Sequence, residues 1–277
     1  MSIARVFPRR TKATPDDEYA FVGYIPLFLP PDISEVHVSC TFTWDIPEAE
    51  RLATAWARIA PVKIGGPAFG DRGGEFTPGM YLKRGYTITS RGCDNRCWFC
   101  SVPWREGALR EIEIREGNDV LDNNLLACSE GHIRAVFAML ERQPNARLSG
   151  GVDAGLLEPW HVELFAAAKI SEAFFSYDAP EGWGQLVRAA EILKANSWYT
   201  PHKARCYVLC GYPGDTIDAA EKRCEDTLRL GFYPFAMFYR DTEGRQIKSK
   251  KWGDFQRRWT RPAIIYTTWR KMRESKA

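Results

Sequence analysis

From Tyr86 onward the chain alternates short apolar runs with amphipathic stretches of crossover length, and this alternation constrains the fold more than any other feature. Tyr86-Thr87-Ile88-Thr89 reads as a strand, and further strands are expected at 119–126, 146–149, 173–176, 205–209 and 234–238. Helices are expected between them at 131–142, 158–169, 184–196 and 215–230; in the first, Ile133, Val136, Phe137 and Leu140 recur on one face. Parallel strands need a crossover of a dozen or more residues, usually a helix, so the pattern predicts a parallel sheet with helices outside it. Six such units are too few for a closed eight-stranded barrel and enough for an open one. The expected class is α/β: a partial (β/α)6 TIM-like barrel over residues 81–240.

The segment before it, 1–80, reads as a small N-terminal α/β unit. Val36-His37-Val38-Ser39-Cys40 and Val62-Lys63-Ile64 are two apolar runs, separated by helical spacing of Leu52, Ala55, Trp56 and Ile59 over 47–60. Asp45 is the expected cap and Pro47 suits the first turn. Residues 65–79 are rich in glycine and read as a linker loop. A third segment, 241–277, is a basic, tryptophan-rich extension. From Arg245 on it carries eleven Lys or Arg against two acids, with Trp252, Phe255, Trp259, Tyr266 and Trp269 interleaved.

A net charge of +3 over 277 residues dictates no partner by itself. No apolar run approaches the ~20 residues of a membrane helix, and the opening MSIARVFPRRTKATPDDEYA lacks the apolar core of a secretory signal. A cytoplasmic protein with no membrane partner is expected. In that compartment eight cysteines are core side chains or ligands rather than a disulfide framework.

Three of the eight fall within Cys93-Asp94-Asn95-Arg96-Cys97-Trp98-Phe99-Cys100, directly after the first strand of the alternation. Thiolates this close in sequence can converge on one metal centre without distant parts of the fold being organised first. Iron–sulfur clusters take thiolates, commonly four, so three leave one iron open to a substrate or cofactor.

Cys-x3-Cys-x2-Cys after the first strand of a βα alternation, with Phe99 before the last cysteine, resembles the signature of the radical S-adenosylmethionine (SAM) superfamily. Thr89-Ser90-Arg91-Gly92-Cys93 and Phe99-Cys100-Ser101-Val102-Pro103 are most similar to the branch with cobalamin-binding radical SAM proteins and methylthiotransferases. The resemblance covers about residues 85–240. It implies that Cys93, Cys97 and Cys100 hold one [4Fe-4S] cluster and that SAM chelates the open iron. It further implies reductive cleavage of SAM to methionine and a 5′-deoxyadenosyl radical, which takes hydrogen from a substrate.

The same resemblance implies the remaining cofactor contacts. Phe99 lies in the loop, and Asn123 and Asn124 follow Asp122 at the end of the second strand. Gly150, Gly151 and Asp153 follow the third, Ser176 and Asp178 end the fourth, and Gly211 and Tyr212 end the fifth. All fall at the carboxyl ends of strands, where such barrels carry their chemistry. The family's Gly-Gly-Glu is absent after the second strand; Gly73-Gly74-Glu75 precedes the cysteines and cannot fill that role. Arg91, Arg96 and Trp98 are near the cluster by sequence. No catalytic residue is assigned.

Other readings stand beside this one. A structural zinc site needs a second ligand pair, and none is evident; the four histidines, His37, His132, His161 and His202, do not cluster. Cys206, Cys210 and Cys224 read as buried core thiols rather than an auxiliary cluster, as do Cys40 and Cys128. The N-terminal segment resembles part of a cobalamin-binding domain. Because Asp-x-His-x-x-Gly is missing, cobalamin is admitted but disfavoured. The tail is expected to turn its aromatics inward, with RNA binding by stacking and phosphate pairing the lesser reading. Expected partners are a small-molecule or nucleotide/RNA substrate and an electron donor such as flavodoxin or ferredoxin. Two rivals come from other classes: a zinc-stabilised nucleic-acid-binding module, and an iron–sulfur electron carrier without SAM chemistry.

Overall fold

The computed structural model describes residues 2–274. They form two compact units, one comprising the chain up to Asn123 with Thr242–Gly244, the other Asn124–Asp241 with Arg245 onward.

The first unit opens with β1 (Ser2–Phe7), β2 (Ala20–Val22) and β3 (Ile33–Ser39), followed by α1 (Ile46–Trp56) and β4 (Val62–Gly65). The strands are parallel, in the order β2-β1-β3-β4. Ala49, Leu52 and Trp56 of α1 bury against Ala4, Val6, Val36 and Val38, so the amphipathic face of the helix makes one core with the sheet. The strand–helix–strand expected at 36–64 is present. β1 and β2 were not expected from the sequence; β2 has only three residues. The helix stops at Trp56 rather than at 60; the chain tightens there, with Ile59 N–H bonded to the Trp56 carbonyl (2.9 Å), and Ile59 is exposed. Asp45 precedes the helix but makes no side-chain cap. Its carboxylate pairs instead with both Nε and Nη2 of Arg9, a bidentate charged contact that outcompetes a single N–H donor.

The first unit continues with β5 (Tyr86–Thr87), β6 (Ser90–Arg91), α2 (Val102–Arg105), β7 (Arg110–Glu111) and β8 (Asp119–Val120). β5 and β8 are parallel, while β6 and β7 form an antiparallel ribbon that the sequence did not suggest. The strands expected at 86–89 and 119–126 are thus both short. Asp122 leaves the ladder and turns its side chain onto Thr89 and Ser90, and Leu125–Ala127 closes as a 3-10 turn.

The second unit contains α3 (Glu130–Leu140), β9 (Arg147–Leu148), α4 (Pro159–Ala167), β10 (Glu172–Tyr177), α5 (Trp183–Lys194), β11 (Ala204–Cys210), α6 (Ile217–Leu230) and β12 (Tyr233–Phe238). Its four strands are parallel and adjacent in chain order. Every helix of the expected alternation is present, displaced by no more than two residues at its ends. Caps set the starts: Ser129 accepts from His132 N–H at 3.3 Å, and Thr216 from Ala219 N–H at 3.2 Å. Phe137 and Phe165 stack with centroids 5.5 Å apart, and the Trp198 indole donates to the Ile170 carbonyl at 2.7 Å.

The tail forms α7 (Lys250–Thr260) and α8 (Pro262–Glu274). Trp252, Phe255 and Trp259 are buried, with Trp252 edge-on to Phe238 of β12 at 5.7 Å. Glu221 of α6 accepts from Trp259 Nε1 (3.0 Å) and Arg258 (2.6 Å). These three face inward, the arrangement expected of a packing extension, whereas Tyr266 of α8 does not: it is exposed. Among the described residues no helix is long and apolar enough to cross a membrane.

Candidate functional site

The cysteine loop sits between β6 and β7. Gly92 opens it with φ +77°, and a Cβ there would lie 2.2 Å from the Ala108 carbonyl oxygen and 2.5 Å from that of Gly107. Only glycine fits, on both backbone conformation and space. Cys93 N–H donates to the Gly107 carbonyl at 3.2 Å, and Asp94 Oδ1 accepts from Leu109 N–H at 3.2 Å. Cys100 N–H closes a tight turn onto the Cys97 carbonyl at 3.0 Å. The three thiols are therefore carried by a loop tied down at its start and along the opposite strand.

Cys97 is exposed and Cys93 and Cys100 are half-buried, whereas Cys40, Cys128, Cys206, Cys210 and Cys224 are all buried. Burial pushes the Cys206 and Cys224 thiols well above their ordinary range, and Cys40 up to about 11. The reachable donor set is thus the one the spacing singled out, and soft thiolates suit an iron–sulfur centre. Among the described residues no three His, Cys, Asp or Glu side chains stand gathered as a preformed metal group. Phe99 is half-buried and meets Trp98 edge to face at 5.4 Å.

A polar network backs the loop within the same unit. Asp122, 1% exposed, accepts from Thr89 N–H (2.6 Å), Thr89 Oγ1 (2.6 Å) and Ser90 Oγ (2.7 Å). Desolvation pushes its carboxyl above the usual range, and the Thr89 and Ser90 donors pull it back down. Asn123 donates to Glu106 Oε2 at 2.9 Å, and Arg91 Nη1 stands 4.0 Å from the same oxygen. The Arg91 guanidinium also lies against Gly73, where a Cβ would come within 2.7 Å, and donates to the Gly74 carbonyl at 3.2 Å. Gly73-Gly74 therefore cradles Arg91.

In the second unit Asn124 donates to Asp153 Oδ2 at 3.2 Å, whose Oδ1 accepts from Gly155 N–H at 2.9 Å. Gly150 is exposed; Gly151, at φ +123°, has open space where a Cβ would be. Ser176 is exposed at the end of β10. Asp178 follows it, its carboxyl raised by burial to about 6 even with the Ser176 hydroxyl and the Leu209 backbone donating to it.

Gly211 takes φ +71° beside Ile247, and its N–H donates to Asp215 Oδ2 at 2.7 Å. Arg223 donates to that same oxygen at 2.7 Å and to the Leu209 carbonyl at 3.0 Å, and lies 5.2 Å over the Tyr212 ring. The carboxyl ends of β9, β10 and β11, neighbours in one sheet, thus carry Gly150, Gly151, Ser176, Asp178, Gly211 and Tyr212 along one edge. Sequence reasoning missed Glu106, Asp215 and Arg223. Each is tied to a singled-out residue by a contact that no local spacing encodes.

The N-terminal sheet offers a test for cobalamin. At the carboxyl ends of β1 and β3, where neighbouring connections diverge and ligands of open α/β sheets bind, the cavity is about 40 Å³. That holds a few waters at most. The Arg9–Asp45 pair and Phe42 line it. His37 is engaged elsewhere, its Nδ1 2.6 Å from the Tyr81 hydroxyl. These residues do not fit a corrin as they stand.

No family model and no curated protein matches the sequence. Among solved structures, the chain resembles the radical S-adenosylmethionine methyltransferase TsrM from Kitasatospora setae with cobalamin and a [4Fe-4S] cluster bound. The TM-score is 0.58 at 14% identity, over 85% of this chain and 74% of that one. TsrM with its tryptophan substrate and a SAM analogue (aza-SAM) gives a TM-score of 0.56 at 13% identity, over 86% and 72% of the two chains. At this identity the likeness shows the fold alone: mixed α/β with parallel sheets.

Proposed function

We propose that this chain is a radical SAM enzyme that binds one [4Fe-4S] cluster through Cys93, Cys97 and Cys100. The observation that carries the reading is selective exposure: of eight cysteines, all but these three are buried, and these lie on a loop that Gly92 and the Gly107 carbonyl lock in place. The fold shared with TsrM, whose structure holds such a cluster, supports it.

When bound, the cluster and SAM supply an electron transfer that cleaves the sulfonium to methionine and a 5′-deoxyadenosyl radical able to take hydrogen from a substrate. The chain's own residues bind and orient. Cys93, Cys97 and Cys100 would hold the cluster through their thiolates, and three ligands rather than four would leave it open to SAM. Asn123, backed by Glu106, and Asn124, backed by Asp153, present amide groups to the methionine end. Gly150 and Gly151 let the backbone approach closely. Ser176 and Asp178 offer hydroxyl and carboxylate to the ribose. Gly211 and Tyr212, braced by Asp215 and Arg223, form a ledge for the adenine.

The substrate is read as a small molecule. The buried Trp252, Phe255 and Trp259 are not available for stacking on bases, which weighs against RNA held by the tail. An electron donor such as flavodoxin or ferredoxin is required, and a cytoplasmic setting suits unprotected thiols. Cobalamin stays admitted but disfavoured: the TsrM structure holds it, but this chain lacks Asp-x-His-x-x-Gly and the crevice at β1 and β3 is small.

The test is anaerobic reconstitution with iron and sulfide, followed by reduction in the presence of SAM. The wild type is expected to hold about four irons per chain and to release 5′-deoxyadenosine; Cys97→Ala should do neither. Zinc without iron would favour a structural metal site. A cluster whose spectrum ignores SAM would favour an electron carrier.

A further inference from the structure

We infer that Asp122 is a positioning residue for the cysteine loop, holding the Thr89–Ser90 backbone so that Arg91, Gly92 and Cys93 leave β6 in one direction. The inference rests on the reading of that loop as a cluster site and goes beyond it by naming what sets the loop's trajectory.

The side chain is 1% exposed and meets two residues that are themselves fully buried, Thr89 and Ser90. Both carboxylate oxygens are used: Oδ1 takes the Thr89 N–H at 2.6 Å, while Oδ2 takes the Thr89 hydroxyl at 2.6 Å and the Ser90 hydroxyl at 2.7 Å. A carboxylate is acceptor-only, so it can satisfy three donors converging from one dipeptide. An apolar residue of the same size would fill the space and leave those donors buried and unpaired. Neutral dipoles surround the group, and among the described residues no Lys, Arg or His forms an ion pair with it.

On its other side Thr89 is held by its carbonyl, which accepts from Ile112 N–H at 3.0 Å. The dipeptide is therefore clamped from both sides, three residues before the first thiol. Tolerance beyond it is small, because Gly92 already packs against the Ala108 and Gly107 carbonyls without room for one carbon. A shift at Ser90 is passed to Cys93 rather than absorbed. Asp122 stands after β8 and the thiols after β6, so this contact ties the second strand of the alternation to the loop that leaves the first.

The experiment uses the full chain, reconstituted anaerobically, and follows iron per chain, the rate of iron loss to a strong chelator, and the electron paramagnetic resonance of the reduced cluster. Asp122→Asn is expected to lose iron at least ~10-fold faster than wild type, about 1.4 kcal/mol at the barrier, with a broadened resonance. Ser90→Ala, which removes one donor and folds more readily, should lose iron roughly 3-fold faster by the same conversion. Val38→Ala, in the core of the N-terminal sheet, serves as a plainly destabilised control and should keep the wild-type rate. Rates for Asp122→Asn and Ser90→Ala within about twofold of wild type, a difference near noise on this scale, would overturn the inference, as would an equally fast Val38→Ala. If wild type takes up no iron, the cluster reading falls and this one with it; iron-loaded wild type with unaffected variants sinks this one alone.

Discussion

The Arg223 guanidinium and the Asp215 carboxylate meet at 2.7 Å with side chains only 9% and 1% exposed, at the foot of the turn that follows β11. Asp215 also takes the Gly211 N–H, so one buried ion pair sets the conformation of the residues assigned to the adenine end of the cofactor. Removing one partner leaves the other charged and buried. Arg223→Met should therefore destabilise the protein by about 3 kcal/mol or more, whereas Asp215→Asn combined with Arg223→Met should recover part of that loss. Urea denaturation measures both; a single variant that loses less than ~1 kcal/mol would show the pair to be solvated.

Gly92 carries the narrowest steric constraint of the cysteine loop. Gly92→Ala must relieve a 2.2 Å approach to a carbonyl oxygen as well as a positive φ. The expected outcome is loss of most reconstituted iron while far-ultraviolet circular dichroism stays near wild type, because the rest of both units is untouched. Full iron uptake would mean the loop can open without harm.

Cys224 separates a core thiol from an auxiliary ligand. It is fully buried on α6, facing Cys210 of β11. Cys224→Ala is expected to leave iron and sulfide per chain unchanged and to cost about 1–2 kcal/mol of stability through lost packing. A drop in iron content would instead assign it to a second centre.

Asp178 makes stability depend on pH in a definite direction. Burial raises its folded pKa to about 6 from an ordinary 3.8, so the native state holds the proton more tightly than the unfolded chain between those values. Stability from this group is present below pH ~4, falls as pH rises, and is lost above ~6. The urea midpoint of Asp178→Asn relative to wild type should therefore climb between pH 4.5 and 7, by an amount on the order of 1 kcal/mol. A difference that is flat with pH would show the carboxyl to be ordinary.

Trp259 tests the tail. It is fully buried and donates to Glu221 at 3.0 Å. Trp259→Ala is expected to lower stability by about 3–5 kcal/mol. An RNA-binding tail would instead tolerate the change in folding and lose affinity for single strands.

Much of the alternation was legible because helical faces such as Ile133, Val136, Phe137 and Leu140 repeat at a spacing that the unfolded chain already carries. The cysteine trio was legible for a similar reason: its ligands lie within one loop. β1, β2 and the β6–β7 ribbon were not; β2, β6 and β7 have only two or three residues each and are defined by their partners more than by their own composition. Asp45 shows the same limit from the other side. Its position proposed a helix cap, and an arginine 36 residues away took the carboxylate instead.

Local order in the chain, then, determined the parallel α/β class, the helices and the three candidate cluster ligands, because periodicity and spacing are properties of neighbours. Which cysteines stay reachable, and which groups hold the loop and the β11 turn, was decided only by the tertiary structure. Burial, and contacts such as Asp122 to Thr89 and Asp215 to Arg223, depend on segments that fold together in space, and hydrogen bonds across such distances leave no mark in sequence order.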